Sequence, residues 1–388
     1  MRKGSKKYLK RNIRNVFIVL LLGIIATYLG FFVQRKENFK NVPVEVSYNI
    51  KDTREVYTAS MVMVGDALIH GSIYNAYQTG NGYDFKNIFK YTKDIFKSYD
   101  IAYYNQETIL GGSSLGLSTY PQFNSPQEVG DAFVDAGFDI VSLATNHTLD
   151  GMYRYGIKAI TNSRNYWNKQ TGVIAAGSYT SKEEREKLQI NEVNGIKYTL
   201  LSYTMQTNGL QVPSGKDYVV DVYNETKVKQ DIERYKGKVD CIMVAMHWGN
   251  EYEHYPNYVQ KNVAKYLASL GVNIIIGCHP HVVQPIDFIG DTLVIYSLGN
   301  FVSSQIGIER LTGLMATATL KKEVYHGKTK ITFEDVTGDL LWTNKANKYV
   351  VYPYSKLNNS ILSGYQNYYT KYGKIVTAYN KNVKMRGI

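Results

Sequence analysis

Five short apolar runs, each followed closely by a carboxylate, an amide or a histidine, constrain this chain more than any other feature. Val56–Val64 runs into Gly65-Asp66, and Ile101–Tyr104 into Asn105-Gln106-Glu107. Phe138–Ala144 is followed by Thr145-Asn146-His147, Val239–Met246 by His247, and Val272–Gly277 by Cys278 and then His279-Pro280-His281. Runs of this length and composition predict buried strands. Helical patterns are predicted between them at Lys86–Lys97, Gln127–Ala136, Tyr153–Lys169, Lys227–Tyr235 and Tyr258–Ser269, the first opened by Asp84 as N-cap. Asn194-Gly195 marks a hairpin between Gln189–Val193 and Lys197–Tyr203. Beyond His281 the pattern becomes antiparallel, with strands predicted at His281–Phe288, Thr292–Ser297, Met315–Val324 and Lys330–Val336. A terminal helix is predicted over Ser360–Asn380. Alternating strands and helices followed by a run of strands predict a layered α/β fold with mixed sheets.

The first residues set the address. Seven basic residues and no acidic one precede position 15, and Val16–Val33 then carries no formal charge. At ~1.5 Å per residue that stretch just crosses a hydrocarbon core, which predicts a single transmembrane anchor. A cleaved signal peptide would have a shorter apolar region ending in an Ala-x-Ala-like site, whereas this one ends Phe31-Phe32-Val33-Gln34-Arg35. Lysine and arginine stay on the cytoplasmic side, so residues 1–15 are expected inside and the chain from about 35 onward outside. Residues 34–56, polar and without periodicity, read as a tether. Removing the seven basic charges from the net +12 leaves +5, compatible with an anionic polymer and not calling for nucleic acid. Cys241 and Cys278 begin and end separate apolar runs. On paired parallel strands they would lie too far apart to bridge, and both are read as reduced packing residues.

In open α/β sheets, ligands gather at the carboxyl ends of strands. Five of the seven histidines (His70, His147, His247, His279, His281) lie at or just beyond such ends, with Asp66, Glu107 and Asn146 among them. Singly, Asp66 could cap a helix, His147 could be a turn residue and His247 a core histidine; jointly they describe a site. His254 and His326 lack this context and are read as surface residues. Carboxylate, amide oxygen and imidazole form a mixed ligand set suited to Mn²⁺, Fe or Zn²⁺ rather than to calcium. Two such ions bridged by one carboxylate would activate water toward a phosphorus or carbonyl centre.

The stretches Met61–His70 (MVMVGDALIH), Asn105–Glu107, Ala144–Asp150 (ATNHTLD), His247–Tyr252 (HWGNEY), Gly277–Pro285 (GCHPHVVQP) and Tyr296–Phe301 (YSLGNF) resemble the poly-gamma-glutamate capsule-synthesis family CapA. The resemblance covers roughly residues 57–305, and residues 306–388 are expected to complete the domain. It implies a metallophosphoesterase-like α/β fold, a two-sheet sandwich flanked by helices. It also implies that Asp66, Glu107 and His281 hold one divalent ion, and that Glu107, Asn146, His247 and His279 hold a second. His147 would protonate the leaving group. His70, Asn105, Asp150, Glu251 and Asn300 are read as contacting substrate or supporting the ligands. The chain departs from the phosphoesterase pattern at three points. His70 stands four positions after Asp66 rather than two, Asn105-Gln106-Glu107 replaces Gly-Asp, and Thr145 replaces the glycine of Gly-Asn-His.

The function expected is a membrane-anchored, extracytoplasmic component of capsule or exopolymer synthesis with a metal-dependent hydrolase-like core. Its expected partners are the membrane, an anionic polymer and other membrane-bound capsule-synthesis proteins. Two alternatives use the same residues: a non-catalytic scaffold for polymer export or anchoring, and a cell-wall phosphodiesterase.

Overall fold

The computed structural model describes residues 4–37 and 54–387 of the 388. Among the described residues, its N-terminal unit holds one helix, Gly4–Glu37. The segment Arg11–Phe31 within it is long and apolar enough to cross a membrane, and its side chains are exposed. Residues 38–53, most of the expected tether, lie outside the described residues.

The unit Arg54–Ile388 holds two mixed sheets. In the first, Glu55–Ala67 lies between the parallel series Ile101–Asn105, Ile140–Ser142, Ile174–Ala176 and the antiparallel series Thr312–Tyr325, Lys328–Asn344, Val350–Pro353. In the second, Ile196–Thr204, Cys241–His247, Ile274–Cys278 and Thr292–Ile295 run parallel, with Asn191–Val193 and Ile286–Ile289 antiparallel at the edges.

The strands' period of two decides the layers. Met61, Met63, Ile101 and Tyr103 face Met243, Ala245, Ile274 and Ile276 across the interior of the sandwich. The alternate residues Val62, Val64, Ala102 and Tyr104 pack outward against Phe89, Phe96, Phe133 and Phe138. On the far side Val244, Met246 and Ile275 pack against Val263, Leu267 and Ile232 of two helices. His247 continues the inward parity of Met243 and Ala245, so the pattern that builds the core also aims this imidazole between the sheets.

Several elements differ from expectation. Lys86–Lys97 is a 3₁₀ turn, Lys86–Phe89, and a short helix, Lys93–Phe96, with buried Thr92 at the break. The break turns Ile88, Phe89 and Phe96 into one hydrophobic cluster, and Asp84 accepts the Lys86 N–H at 3.0 Å. Tyr153–Lys169 divides at Gly156 into Met152–Tyr155 and Lys158–Trp167. The terminal helix is confined to Tyr365–Val376. The strand expected from His281 is regular only over Ile286–Ile289, because His281 itself has φ 58°. Short strands at Ile174–Ala176, Asn300–Val302 and Val350–Pro353 had no prior expectation. His254 is half-buried rather than superficial, its Nδ1 3.0 Å from the Val283 carbonyl. Cys241 and Cys278 are free and buried, at opposite ends of adjacent parallel strands.

Candidate metal centre

The carboxyl ends of both sheets meet at one point. Gly65 allows this: a Cβ there would lie 1.8 Å from the Gly299 carbonyl oxygen, so only glycine lets the two segments touch. The pairing of Glu55–Ala67 is irregular between Met63 and Asp66, and Asp66 comes into register with both Asn105 and Asn300. Asn105 keeps the inward parity of Ile101 and Tyr103, and its Nδ2 donates to Asp66 Oδ1 at 2.8 Å.

From the second sheet come His247, at the end of its strand, and the loop carrying His279 and His281. Both loop histidines have positive φ, 95° and 58°, which is uncommon for residues with a side chain and persists only where surroundings enforce it. The surroundings here are specific. Trp248 Nε1 donates to the Tyr296 carbonyl at 2.9 Å, and Tyr252 N–H to the Pro280 carbonyl at 2.7 Å. The helix Tyr258–Ser269 is fixed by an Asn257–Gln260 capping box, and Gln260 Nε2 donates to Gln284 beyond the histidine loop.

Six ligand-type side chains crowd together as a result. His247 Nε2 lies 2.8 Å from Asn146 Oδ1, 3.2 Å from His279 Nδ1 and 3.8 Å from Glu107 Oε1. His281 lies 3.3 Å from Asp66 Oδ2 through Nδ1 and 3.6 Å from Glu107 Oε1 through Nε2. Two clusters thus share Glu107: Glu107, His247, His279 on one side and Asp66, Glu107, His281 on the other. Exposed Glu251 forms a third group with His279 and His281. Glu107 is fully buried, yet neither of its oxygens has a hydrogen-bond partner.

Burial holds the Glu107 carboxyl well above the usual carboxylate range, with the Asp66 charge adding to the effect. Burial likewise pushes His247 well below its ordinary value, and burial with the neighbouring His281 lowers His279 to about 4. For His281 burial acts downward too, but the Glu107 and Asp66 carboxylates outweigh it and raise the ring to about 9. His247 and His279 are thus held as the neutral rings a cation needs, whereas a cation bound here would have to displace a proton from His281 and from Glu107.

The remaining predicted residues surround this cluster. His147 lies on the cleft wall with Nδ1 2.7 Å from Asp150 Oδ2, an oxygen that also accepts the Phe123 N–H at 2.7 Å. Asn300 Oδ1 is 3.0 Å from His281 Nδ1, behind the ring. His70 is outside the metal-type groups. Its Nδ1 is 3.0 Å from the Leu68 carbonyl, and its ring packs edge-on to Phe123, which packs in turn on His147. Asn208 was not anticipated: its Oδ1 accepts from Asn146 at 3.2 Å, and its Nδ2 is 3.4 Å from His147 Nδ1. Nothing local marks it, since it sits in the irregular segment between the strand Ile196–Thr204 and the helix Glu225–Tyr235.

An α/β sandwich with a buried histidine–carboxylate cluster at its strand ends is the class of protein this chain represents. The chain belongs to the bacterial capsule synthesis protein family PGA_cap, whose model matches residues 60–305. It is 27% identical over 308 residues to the PGA biosynthesis protein CapA of Bacillus subtilis strain 168, covering 78% of this chain and 76% of that protein. It is 28% identical over 312 residues to the capsule biosynthesis protein CapA of Bacillus anthracis, covering 77% and 71%. Among solved structures, a putative 5′-nucleotidase from Staphylococcus aureus matches 72% of this chain and 54% of its own, at 15% identity and TM-score 0.45. The chain therefore spans about half of that protein. A 5′-nucleotidase from Candida albicans matches 80% and 56%, at 11% identity and TM-score 0.40.

Proposed function

We propose that this protein is a membrane-anchored, extracytoplasmic component of capsule biosynthesis of the poly-gamma-glutamate type, with a two-metal hydrolase-like site. Glu107 is the observation that carries it. A buried carboxylate whose two oxygens lack hydrogen-bond partners is costly, ~1–3 kcal/mol, unless something else satisfies it. Its place between His247 and His281 fits a carboxylate bridging two cations. Asp66, Glu107 and His281 would hold one ion, and Glu107, Asn146, His247 and His279 the other. Mixed oxygen and nitrogen ligands suit Mn²⁺, Fe or Zn²⁺. Bound there, such ions would supply Lewis-acid activation of a phosphoryl or carbonyl oxygen and of water.

The chain's own residues complete the arrangement. Asp150 accepts from Nδ1 of His147 and fixes the ring, which lines the cleft. Its Nε2 can then pass a proton to a leaving group. Asn208 holds the Asn146 amide so that Oδ1 faces His247. Asn300 steadies His281 from behind. Residues 1–15 would remain in the cytoplasm, 16–33 span the membrane, and the domain would meet an anionic polymer and other membrane-bound capsule-synthesis proteins outside.

Metal analysis of the detergent-solubilised chain tests this reading. Two ions per chain are expected, with hydrolysis of either a phosphoester or a gamma-glutamyl amide in a substrate screen. Absence of stoichiometric metal would refute the site. Bound metal without activity on either substrate class would favour the scaffold.

A further inference from the structure

Beside the cluster the cleft consists of two cavities, of about 420 Å³ and 280 Å³, that meet at Tyr120, His147 and Glu251. Their chemistry differs. Arg310 lines the larger cavity and is the one lysine or arginine among the described residues lining either. The smaller is lined by the amides of Asn146 and Asn208, by Asp150 and by Leu210.

Arg310 is held without being neutralised. Its guanidinium lies over the Tyr252 ring, 4.3 Å from the centroid. Nε is buried with no hydrogen-bond acceptor, and its nearest carboxylate is Glu309 at 3.6 Å. That pair is about one-third exposed on both sides, a contact of little strength. The platform belongs to the metal-type cluster: the Tyr252 backbone has φ 69° and donates to the Pro280 carbonyl, and its ring lies tilted 6.1 Å from the His281 ring. The Arg310 carbonyl accepts from Asn300 Nδ2 at 2.8 Å, the same amide whose oxygen meets His281. Position 310 and the imidazole at 281 are therefore set by one side chain.

We propose that Arg310, seated on Tyr252, is a specificity-determining residue that receives a single anionic group, a carboxylate or phosphate, at one end of the substrate. The inference rests on the cluster holding the reacting group. A planar guanidinium on an aromatic face presents a fork matched to one such anion. A groove that tracks a polyanion needs a row of cations. Here Glu251 stands at the junction and amides lie beyond it, so like charge meets a chain that continues. The cleft reads a chain end.

Titration calorimetry of the full chain in detergent, loaded with Mn²⁺, tests this with gamma-linked glutamate dimers and decamers. Wild type should bind both with similar affinity. Arg310→Gln should weaken both at least about tenfold, with Arg310→Lys between and Mn²⁺ uptake unchanged in each. Competition by inorganic phosphate or by glutarate supports the subsite and tells which anion it prefers. Arg310→Gln binding as wild type, affinity climbing steadily with length, no binding of either oligomer, or competition by neither anion would overturn the proposal. Wild type taking up no Mn²⁺ would instead remove the two-metal reading, and oligomer binding would still report on Arg310.

Discussion

The Asp150 carboxylate lies 2.7 Å from Nδ1 of His147, and both groups are buried at the edge of the cleft. A carboxylate that also takes the Phe123 N–H cannot swing away, so the imidazole is fixed in one orientation. A positioned proton donor is worth roughly 10²–10⁴-fold in rate. His147→Ala should cost on that scale while leaving metal content unchanged, and Asp150→Asn should cost less. Purified variants assayed for hydrolysis and metal together check this. Loss of metal in His147→Ala would contradict the assigned role.

Glu107 predicts opposite signs with and without metal. In metal-free protein, Glu107→Leu removes a buried carboxylate lacking partners and should raise the melting temperature. With Mn²⁺ at a hundred times its Kd, wild type should gain about 2.7 kcal/mol that the variant lacks. Melting curves with chelator and with Mn²⁺ give both values. A variant stabilised by Mn²⁺ as much as wild type would exclude Glu107 from binding.

Gly65→Ala should be among the most damaging single-methyl additions in this chain. The new Cβ would sit 1.8 Å from a backbone oxygen, and that Gly299 oxygen also accepts the Asp66 N–H at 2.9 Å. Overpacking of this kind costs ~1–3 kcal/mol or more. Urea unfolding should show the loss, and metal affinity should fall with it because Asp66 is displaced. An unchanged midpoint would mean the strand ends can separate freely.

Asp139 sets a pH dependence away from the site. Burial raises its carboxyl to about 7, against a bond from the Ala102 N–H that acts downward. A folded-state value above the unfolded one favours the protonated form in the fold. Stability from this group is therefore full below about pH 4 and is lost as pH rises toward 7. Asp139→Asn keeps the acceptor for Ala102 and cannot ionise. The unfolding midpoint of wild type relative to this variant should fall between pH 4 and 7. A constant difference across that window would contradict the assignment.

Much of this molecule was set by local pattern. His247 could be read as the end of a buried strand, but the face it takes could not, because Cys241–Met246 is apolar at every position. The polar residue after each apolar run had to lie at a sheet's edge. The helix Tyr258–Ser269 carried its own capping box, and its bounds agree with expectation. Glu107, His279 and the other ligand-type residues were recognisable because each lies at or just beyond the end of an apolar run.

What only the tertiary structure decided are relations between segments far apart in the chain. The helix expected over Lys86–Lys97 breaks because Phe89 and Phe96 must both reach Phe301, more than two hundred positions away. Asn208 meets Asn146 from an irregular loop and Arg310 meets Tyr252 from the single helical turn Ile308–Leu311, segments too short or irregular to have a period to read. The positive φ of His279 and His281 likewise goes with a loop held from outside, through Trp248 N–H on the Cys278 carbonyl and Tyr252 N–H on the Pro280 carbonyl. Alternation and capping act within a few residues and so are written along the chain. Close approach of loops depends on how two sheets stack, and that is settled only when the whole core is buried.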